Sequence, residues 1–500
     1  MPIMGVFCLV GPIQKNSRFF KRISRLQSRL ISILKGKSTG RESTMRKSTM
    51  KIGVMLASAM LLLAACSGNG NGNANGGNSS ASPAGASSPA ASSGTAQEGT
   101  AKQPVELTLA HGWTGEVAMA AAFEPAIDRF IASHDYITLN VETAPGNGIR
   151  EKIVTEMAAN DPPDVFLHWG ARDTASYIAN EKVADLTDLI AGDPELEGRY
   201  IDNAYDSVTY KGRIYGLPIE ANMMNFLVNT KMFADAGIKV PETFDELKEA
   251  VKAFKAKGLI PIAANDGTTR AILSNLNDQL YGESVRDRLI GKEEYDERLV
   301  EAASHVRELV ELGAFPEGME TLGTLQALEL FNTGMSPMYY QHSWTLGSVA
   351  EDLFDQVEVV PFPKLKPDGD AYMTSGVGYF VYISERAYED ENKREAAWEL
   401  AKYLAGTEVG KELEVVSGNP SPVVWDRSSD MHPMLAKAFK LRDSGEVKTF
   451  PDHNDLLSAE ASKVYNDLKT RLYLNDITPE QYAQLFEEGI KNNPNPAFEP

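Results

Sequence analysis

The chain has 500 residues, with 49 Lys and Arg against 69 Asp and Glu, a formal net charge of −20 at pH 7. Residues 1–65 hold Glu42 as their one acidic residue among many Lys and Arg, so the remainder is more acidic still, and such a surface repels nucleic acid and anionic headgroups. The two cysteines, Cys8 and Cys66, both lie early, which excludes a disulfide framework, a thiolate metal centre and a cysteine nucleophile from the later, folded part.

From Met45 the chain reads as a basic start (Arg46, Lys47, Lys51), an apolar stretch from Ile52 to Leu63, and Ala64-Ala65-Cys66. The apolar run is too short to span a bilayer core of roughly 30 Å and fits a secretory signal peptide. Leu63-Ala64-Ala65-Cys66 resembles the lipobox of bacterial lipoproteins, which implies cleavage before Cys66 and lipidation of that residue. Residues 1–65 are therefore read as a signal peptide with an over-long start, the initiator being Met45 or Met50. Residues 66–103 consist almost wholly of Ser, Gly, Asn, Ala, Pro and Thr, and cannot bury enough apolar surface to offset ordering entropy. They read as a flexible tether. Gly68-Asn69-Gly70-Asn71-Gly72 has neither the preceding strand nor the following helix that a phosphate loop needs.

Roughly 400 residues remain from Pro104, enough for two lobes. Alternation predicts a strand at Val105 to Ala110, and apolar periodicity a helix from Glu116 to Ile131. A strand at Ile137 to Thr143, a helix at Ile149 to Ala159 and a strand at Asp164 to His168 follow. That order argues for α/β with a parallel sheet. Lys211-Gly212-Arg213 reads as the turn of a hairpin, Asn225 to Asn229 as a strand, and Thr243-Phe244-Asp245-Glu246 as a capping box opening a helix to Lys257. Further on come a strand at Ile260 to Ala264, a helix at Leu325 to Asn332 ended by Gly334, and a strand at Met335 to Tyr340. A strand at Val377 to Ile383, a helix at Lys393 to Ala405 and a mainly helical tail from His432 complete the pattern.

Several segments resemble, in shared order over roughly residues 104–425, the family 1 extracellular solute-binding proteins of carbohydrate ABC importers, similar in layout to maltose-binding protein. They are Pro163-Asp164-Val165-Phe166, Tyr215-Gly216-Leu217-Pro218, Asn229-Thr230-Lys231-Met232-Phe233-Ala234-Asp235-Ala236-Gly237, Pro241-Glu242-Thr243-Phe244-Asp245-Glu246-Leu247, Phe331-Asn332-Thr333-Gly334 with Trp344, Ala397-Trp398-Glu399-Leu400, and Gly418-Asn419-Pro420-Ser421-Pro422. Val228, Phe244 and Ser336-Pro337 depart from the family pattern. The resemblance implies an α/β, two-lobed type II periplasmic-binding-protein fold with a hinge and an interlobe cleft. Lobe 1 is expected at 104–217 and 364–420, lobe 2 at 218–363 and 421–500, with crossings near Gly216 to Ile219, Pro361 to Pro363 and Gly418 to Pro422.

Sugars offer apolar ring faces and many hydroxyls, so their sites combine aromatic platforms with carboxylates and amides. Trp113 with Glu116, then His168, Trp169 and Arg172, follow predicted strands at the edge where open α/β sheets bind ligands. Glu220 and Asn222 follow the first crossing, and the resemblance places a cleft carboxylate at Glu220. Asp266 follows the strand at Ile260 to Ala264, and His342 precedes Trp344, where the family places a stacking tryptophan. Gly376 would let backbone approach a ligand, and Trp425 is a further candidate. Bland roles compete: a loop tryptophan covering a lobe edge, a solvated ion pair for Arg172, a helix cap for Asp266, a β-bulge for Gly376. Trp398 reads as core. The expected protein is a monomer without cofactor, metal or catalytic residue, lipid-anchored on the outer face of a cell membrane and partnered by ABC permease subunits. A polysaccharide-cleaving lipoprotein and a ligand-sensing subunit for a membrane kinase are the alternatives.

Overall fold

The structure, a computed structural model, describes residues 102–146, 148–427 and 430–495. The expected signal peptide, Cys66 and nearly all of the tether lie outside the described residues. Lys102, expected in the tether, is instead tied to lobe 1: its ammonium pairs with Glu399 and Glu395 and lies over the Tyr136 ring.

β1 (Val105–His111) pairs in parallel with β2 (Ile137–Thr143) and β3 (Val165–Trp169), as the alternating pattern predicts. The helix between β1 and β2 runs Ala120–Ser133 and buries Phe123, Ile127 and Phe130. It starts later than its periodicity suggests, because Gly115 turns the chain at φ 72° and leaves Glu116 in an exposed turn. The hairpin forms as β4 (Thr209–Tyr210) and β5 (Arg213–Ile214), with Lys211 and Gly212 both at positive φ. Two strands are far longer than predicted. β6 (Leu217–Asn229) and β10 (Ala371–Ile383) each have 13 residues and pair antiparallel with one another.

Around them stand β7 (Ile262–Ala263), β8 (Met338–His342), β9 (Val357–Val360) and β11 (Val447–Phe450), the last a strand within the tail expected to be mainly helical. The sheet runs β2-β1-β3-β10-β6-β8-β7, with β11 on β10 and β9 on β6. Helices cover β6 on both faces in lobe 2, which is why its pattern shows no simple alternation: Met224, Phe226 and Val228 enter one core and Met223 and Leu227 the other. The capping box is present, Thr243 Oγ1 accepting from the Glu246 amide at 3.3 Å and Glu246 Oε2 from the Thr243 amide at 3.1 Å.

The core of lobe 1 is drawn from Val105 to Ala221 and from Val377 to Val423, while the cores of lobe 2 hold Met223 to Met373 and Met434 to Ile490. Phe362, Leu365, Ala371 and Met373 therefore pack with lobe 2, so a crossing at Pro361 to Pro363 is replaced by one inside β10. Among the described residues no helix is long and apolar enough to cross a membrane.

The last return from lobe 1 is pinned by Glu414, which is fully buried. Its carboxylate accepts from the Ser421 amide at 3.0 Å, from Trp425 Nε1 at 2.8 Å and from Arg427 Nε and Nη2 at 2.8 and 2.9 Å. Removing one partner of a buried, hydrogen-bonded charge pair strands the other. Glu414→Ala should thus lower unfolding free energy by about 3 kcal/mol or more in urea titration, and a loss below about 1 kcal/mol would show that the segment is held by packing alone.

Candidate functional site

A cavity of about 440 Å³ lies where the two lobes face each other. Lobe 1 contributes Gly112 and Trp113 after β1, Arg150 from the helix after β2, and Trp169, Arg172 and Asp173 at the end of β3. The two shared strands contribute Glu220, Asn222, Gly378 and Tyr379. Lobe 2 contributes Arg270, Thr324, His342, Trp344, Asp452, Asn454 and Asp455. The parallel strands deliver residues at their carboxyl ends, as open α/β sheets do.

The aromatic groups form one connected wall. Trp113 meets Tyr379 at 5.3 Å between ring centroids and Phe123 edge-on at 5.0 Å, while Trp169 meets Tyr379 edge-on at 4.9 Å. The Arg150 guanidinium covers the Trp169 ring at 4.4 Å. Trp344 follows β8 of lobe 2 yet packs against the core of lobe 1.

The charged groups are mostly paired. Arg150 donates to Asp173 at 2.9 Å, and Arg270 Nη1 donates to both oxygens of Asp452, at 2.8 and 3.1 Å. Arg172 reaches across from lobe 1 to donate to Ser462 of lobe 2 and stands 3.5 Å from Asp173. Burial would raise the Asp452 carboxyl, but Arg270 and then His342 outweigh it and hold Asp452 well below the usual carboxylate range. Burial lowers the His342 imidazole to about 4, against the pull of Asp452. Glu220 and Asp455 differ from these: burial pushes Glu220 up to about 8 with Asn419 opposing, and burial followed by the Asp452 charge pushes Asp455 up to about 8. Among the described residues no group of three or more His, Cys, Asp or Glu could hold a metal ion.

Of the twelve expected ligand-binding residues, Trp113, Trp169, Arg172, Glu220, Asn222, His342 and Trp344 line this cavity. Glu116 does not, being exposed in the turn before its helix. His168 is wholly buried on the opposite face of β3 from Trp169, its Nδ1 3.2 Å from the Trp169 carbonyl. Asp266 pairs with Lys469 and accepts from Thr470 at 2.9 Å at the start of helix Asp266–Tyr281, outside the cavity. Gly376 is displaced from the lining by Gly378, where a Cβ would come within 2.6 Å of Asn222 Nδ2. Trp425 is committed to Glu414.

Sequence reasoning missed Arg150, Asp173, Tyr379, Arg270, Thr324 and the run Asp452 to Asp455. Arg150 was within reach of the same strand-end rule that found Trp169. The run at 452–455 follows β11, a strand too short to announce itself. A wider depression of about 840 Å³ on the outer face of lobe 2 is lined by Lys239, Lys248, Glu249, Lys252 and Glu308 among others, with ion pairs such as Lys252–Glu249 and no aromatic ring.

Glu220 and Asp455 keep their protons in the folded chain up to about pH 8, whereas an unfolded carboxyl ionises near pH ~4. Their contribution to stability is complete below that lower value and is lost as pH rises through about 8; Asp452 acts in the opposite sense, its contribution fading only in acid. The ligand-free protein should therefore melt at a lower temperature at about pH 9 than at about pH 6, and the Glu220→Gln/Asp455→Asn double variant should show a smaller difference. An unchanged difference in the double variant would place the pH dependence elsewhere.

Residues 118–424 match the family described as bacterial extracellular solute-binding protein. The chain is 24% identical over 402 residues to an ABC transporter extracellular-binding protein of Pyrococcus horikoshii, covering 77% of this chain and 89% of that one. It is 23% identical over 301 residues to the maltotriose-binding protein of Pyrococcus abyssi, covering 59% and 62% respectively. A binding protein of Brucella abortus matches at 32% over 154 residues, 29% of this chain, so that the chain spans only 37% of that relative. Among solved structures, a chitin oligosaccharide binding protein superposes with a TM-score of 0.71 at 22% identity, over 78% of this chain and 99% of that one, and carries the same fold. With two lobes, two shared strands and a cavity between the lobes, the chain belongs to the family of bacterial extracellular solute-binding proteins.

Proposed function

We propose that this chain captures a saccharide in the interlobe cavity and delivers it to the membrane subunits of an ABC importer, without chemical turnover. The observation that carries the reading is the connected wall of Trp113, Tyr379 and Trp169, with Trp344 also lining the cavity, set among carboxyl and amide groups. Ring faces of sugars stack on such walls, and their hydroxyls use such polar groups. Relatives named as a maltotriose-binding protein and as an ABC transporter extracellular-binding protein support both halves of it. Arg172 reaching Ser462 across the lobes fits closure around a ligand by hinge motion.

Lipidation of Cys66 completes the proposal, holding a monomeric binding protein at the outer face of the membrane beside its permease. In that case Cys66→Ala releases the protein from membranes or leaves an uncleaved precursor, and mass spectrometry showing an unlipidated mature start elsewhere would refute the anchor.

Thermal-shift screening against oligosaccharides, followed by isothermal titration of the best ligand, tests the binding function. Trp344→Ala and Trp169→Ala should each weaken binding by about 1 to 3 kcal/mol, because each removes an apolar face and its aromatic geometry. Unchanged affinity in both variants would exclude the cavity as the site. Consumption of the ligand during titration would favour the polysaccharide-cleaving alternative.

A further inference from the structure

Charge is unevenly settled along the interlobe cavity. Arg270 donates to both oxygens of Asp452 and balances it. At the end of β3, by contrast, two guanidinium groups share a single carboxylate oxygen: Asp173 Oδ2 accepts from Arg150 Nη2 at 2.9 Å and stands 3.5 Å from Arg172 Nε. The other partner of Arg172 is the Ser462 hydroxyl, which carries no charge, and Arg150 Nε is buried without a hydrogen-bond partner. Glu220, Asp455 and His342 complete the charged lining. Burial keeps Glu220 protonated up to about pH 8; burial and then Asp452, against the pull of Arg172, do the same for Asp455, and burial leaves His342 uncharged above about pH 4. At pH 6 three guanidinium groups therefore face two carboxylates, and the unbalanced cation lies in the corner of Arg150, Arg172 and Asp173. The backbone of that corner is strained. Ala171 has φ 50° and ψ −118°, a conformation that residues with a Cβ rarely adopt, and the residues flanking Gly170-Ala171, Trp169 and Arg172, both line the cavity. The Arg150 guanidinium lies 4.4 Å from the centre of the Trp169 ring, so both cations and an aromatic face meet in one place.

Resting on the saccharide-binding reading above, we infer that the ligand is an acidic saccharide, its carboxylate or sulfate held by the guanidinium groups of Arg150 and Arg172 beside Trp169. Asp173 demonstrates that both groups stand close to one anionic oxygen. Guanidinium forks donate charge-assisted hydrogen bonds to such anions, about twice as strong as neutral ones. Glu220 and Asp455, while protonated, donate hydrogen bonds to a ligand instead of repelling its charge. A neutral sugar would leave the surplus cation without a counter-charge as the lobes close, and a cationic sugar would add to it.

The test is isothermal titration of the purified protein at about pH 6 with oligosaccharides of several linkages. Each is used as a matched set carrying a hydroxymethyl group, a carboxylate, its methyl ester, a sulfate ester or an amine on one ring. In the best-bound set the carboxylate or the sulfate member should bind at least about tenfold more tightly than the hydroxymethyl and methyl-ester members, and whichever of the two binds more tightly identifies the anion. Arg172→Gln and Arg150→Gln should each reduce that preference by about tenfold. The comparison within the unaltered protein decides the matter whether or not the variants fold. A neutral or amine member binding as tightly as both acidic members, or a preference kept in full by both folded variants, overturns this inference and leaves saccharide capture standing. No binding by any set overturns both.

Discussion

β6 enters all three hydrophobic cores and β10 two of them, so each strand belongs to both lobes, and the two pair with one another along the length that joins them. A backbone ladder of this kind cannot be dissolved at its middle without exposing peptide groups of both lobes, so the lobes can swing about the seam but cannot separate from it. The seam is also where the pairing is irregular, with register shifts between Val377 and Tyr379 and between Tyr379 and Phe380. Gly378 stands in that irregularity, and its missing side chain makes room for the Asn222 carboxamide. Glu220, Asn222 and Tyr379 are consequently a fixed floor, while Trp113 and Trp169 ride on one lobe and Arg270, Trp344 and Asp455 come from the other.

The floor and walls differ in how their charge is settled. Asp452 is buried but fully compensated, by Arg270 on one side and the Asn454 amide at 2.9 Å on the other. Ser462 ties this corner to lobe 1, since it accepts from Arg172 and donates to Asn454 Oδ1 at 2.8 Å. One chain of polar contacts therefore runs from the end of β3 through Ser462 to the 452–455 segment. These paired charges hold this corner of the cleft in place.

Much of lobe 1 was legible because β1 and β2 alternate in sequence and the helix between them carries a clear apolar stripe. Trp113, Trp169 and Arg172 were reachable from the rule that ligands meet the carboxyl ends of parallel strands. His168 failed by parity: adjacent residues on a strand point to opposite faces, so placing Trp169 in the cavity places His168 in the core. Asp266 obeyed its local role at a helix start over any role in the cleft, and Trp425 was claimed by the buried Glu414 carboxylate, which no spacing reveals. The full lengths of β6 and β10 were hidden because a strand buried on both faces loses its alternation, and Pro218 reads as a break. Asp452 to Asp455 follow β11, whose long-range pairing with β10 is a contact invisible to local pattern.

On the proposed function, ligand is held between the lobes, against the floor that β6 and β10 share. A crystal structure of the protein with its tightest saccharide tests it directly. Ligand density is expected between the lobes, stacked on Trp169 or Trp344 and within hydrogen-bond reach of Glu220 or Asn222. Density on the outer face of lobe 2 near Lys248 and Glu308, with the interlobe cavity free of ligand, would contradict it.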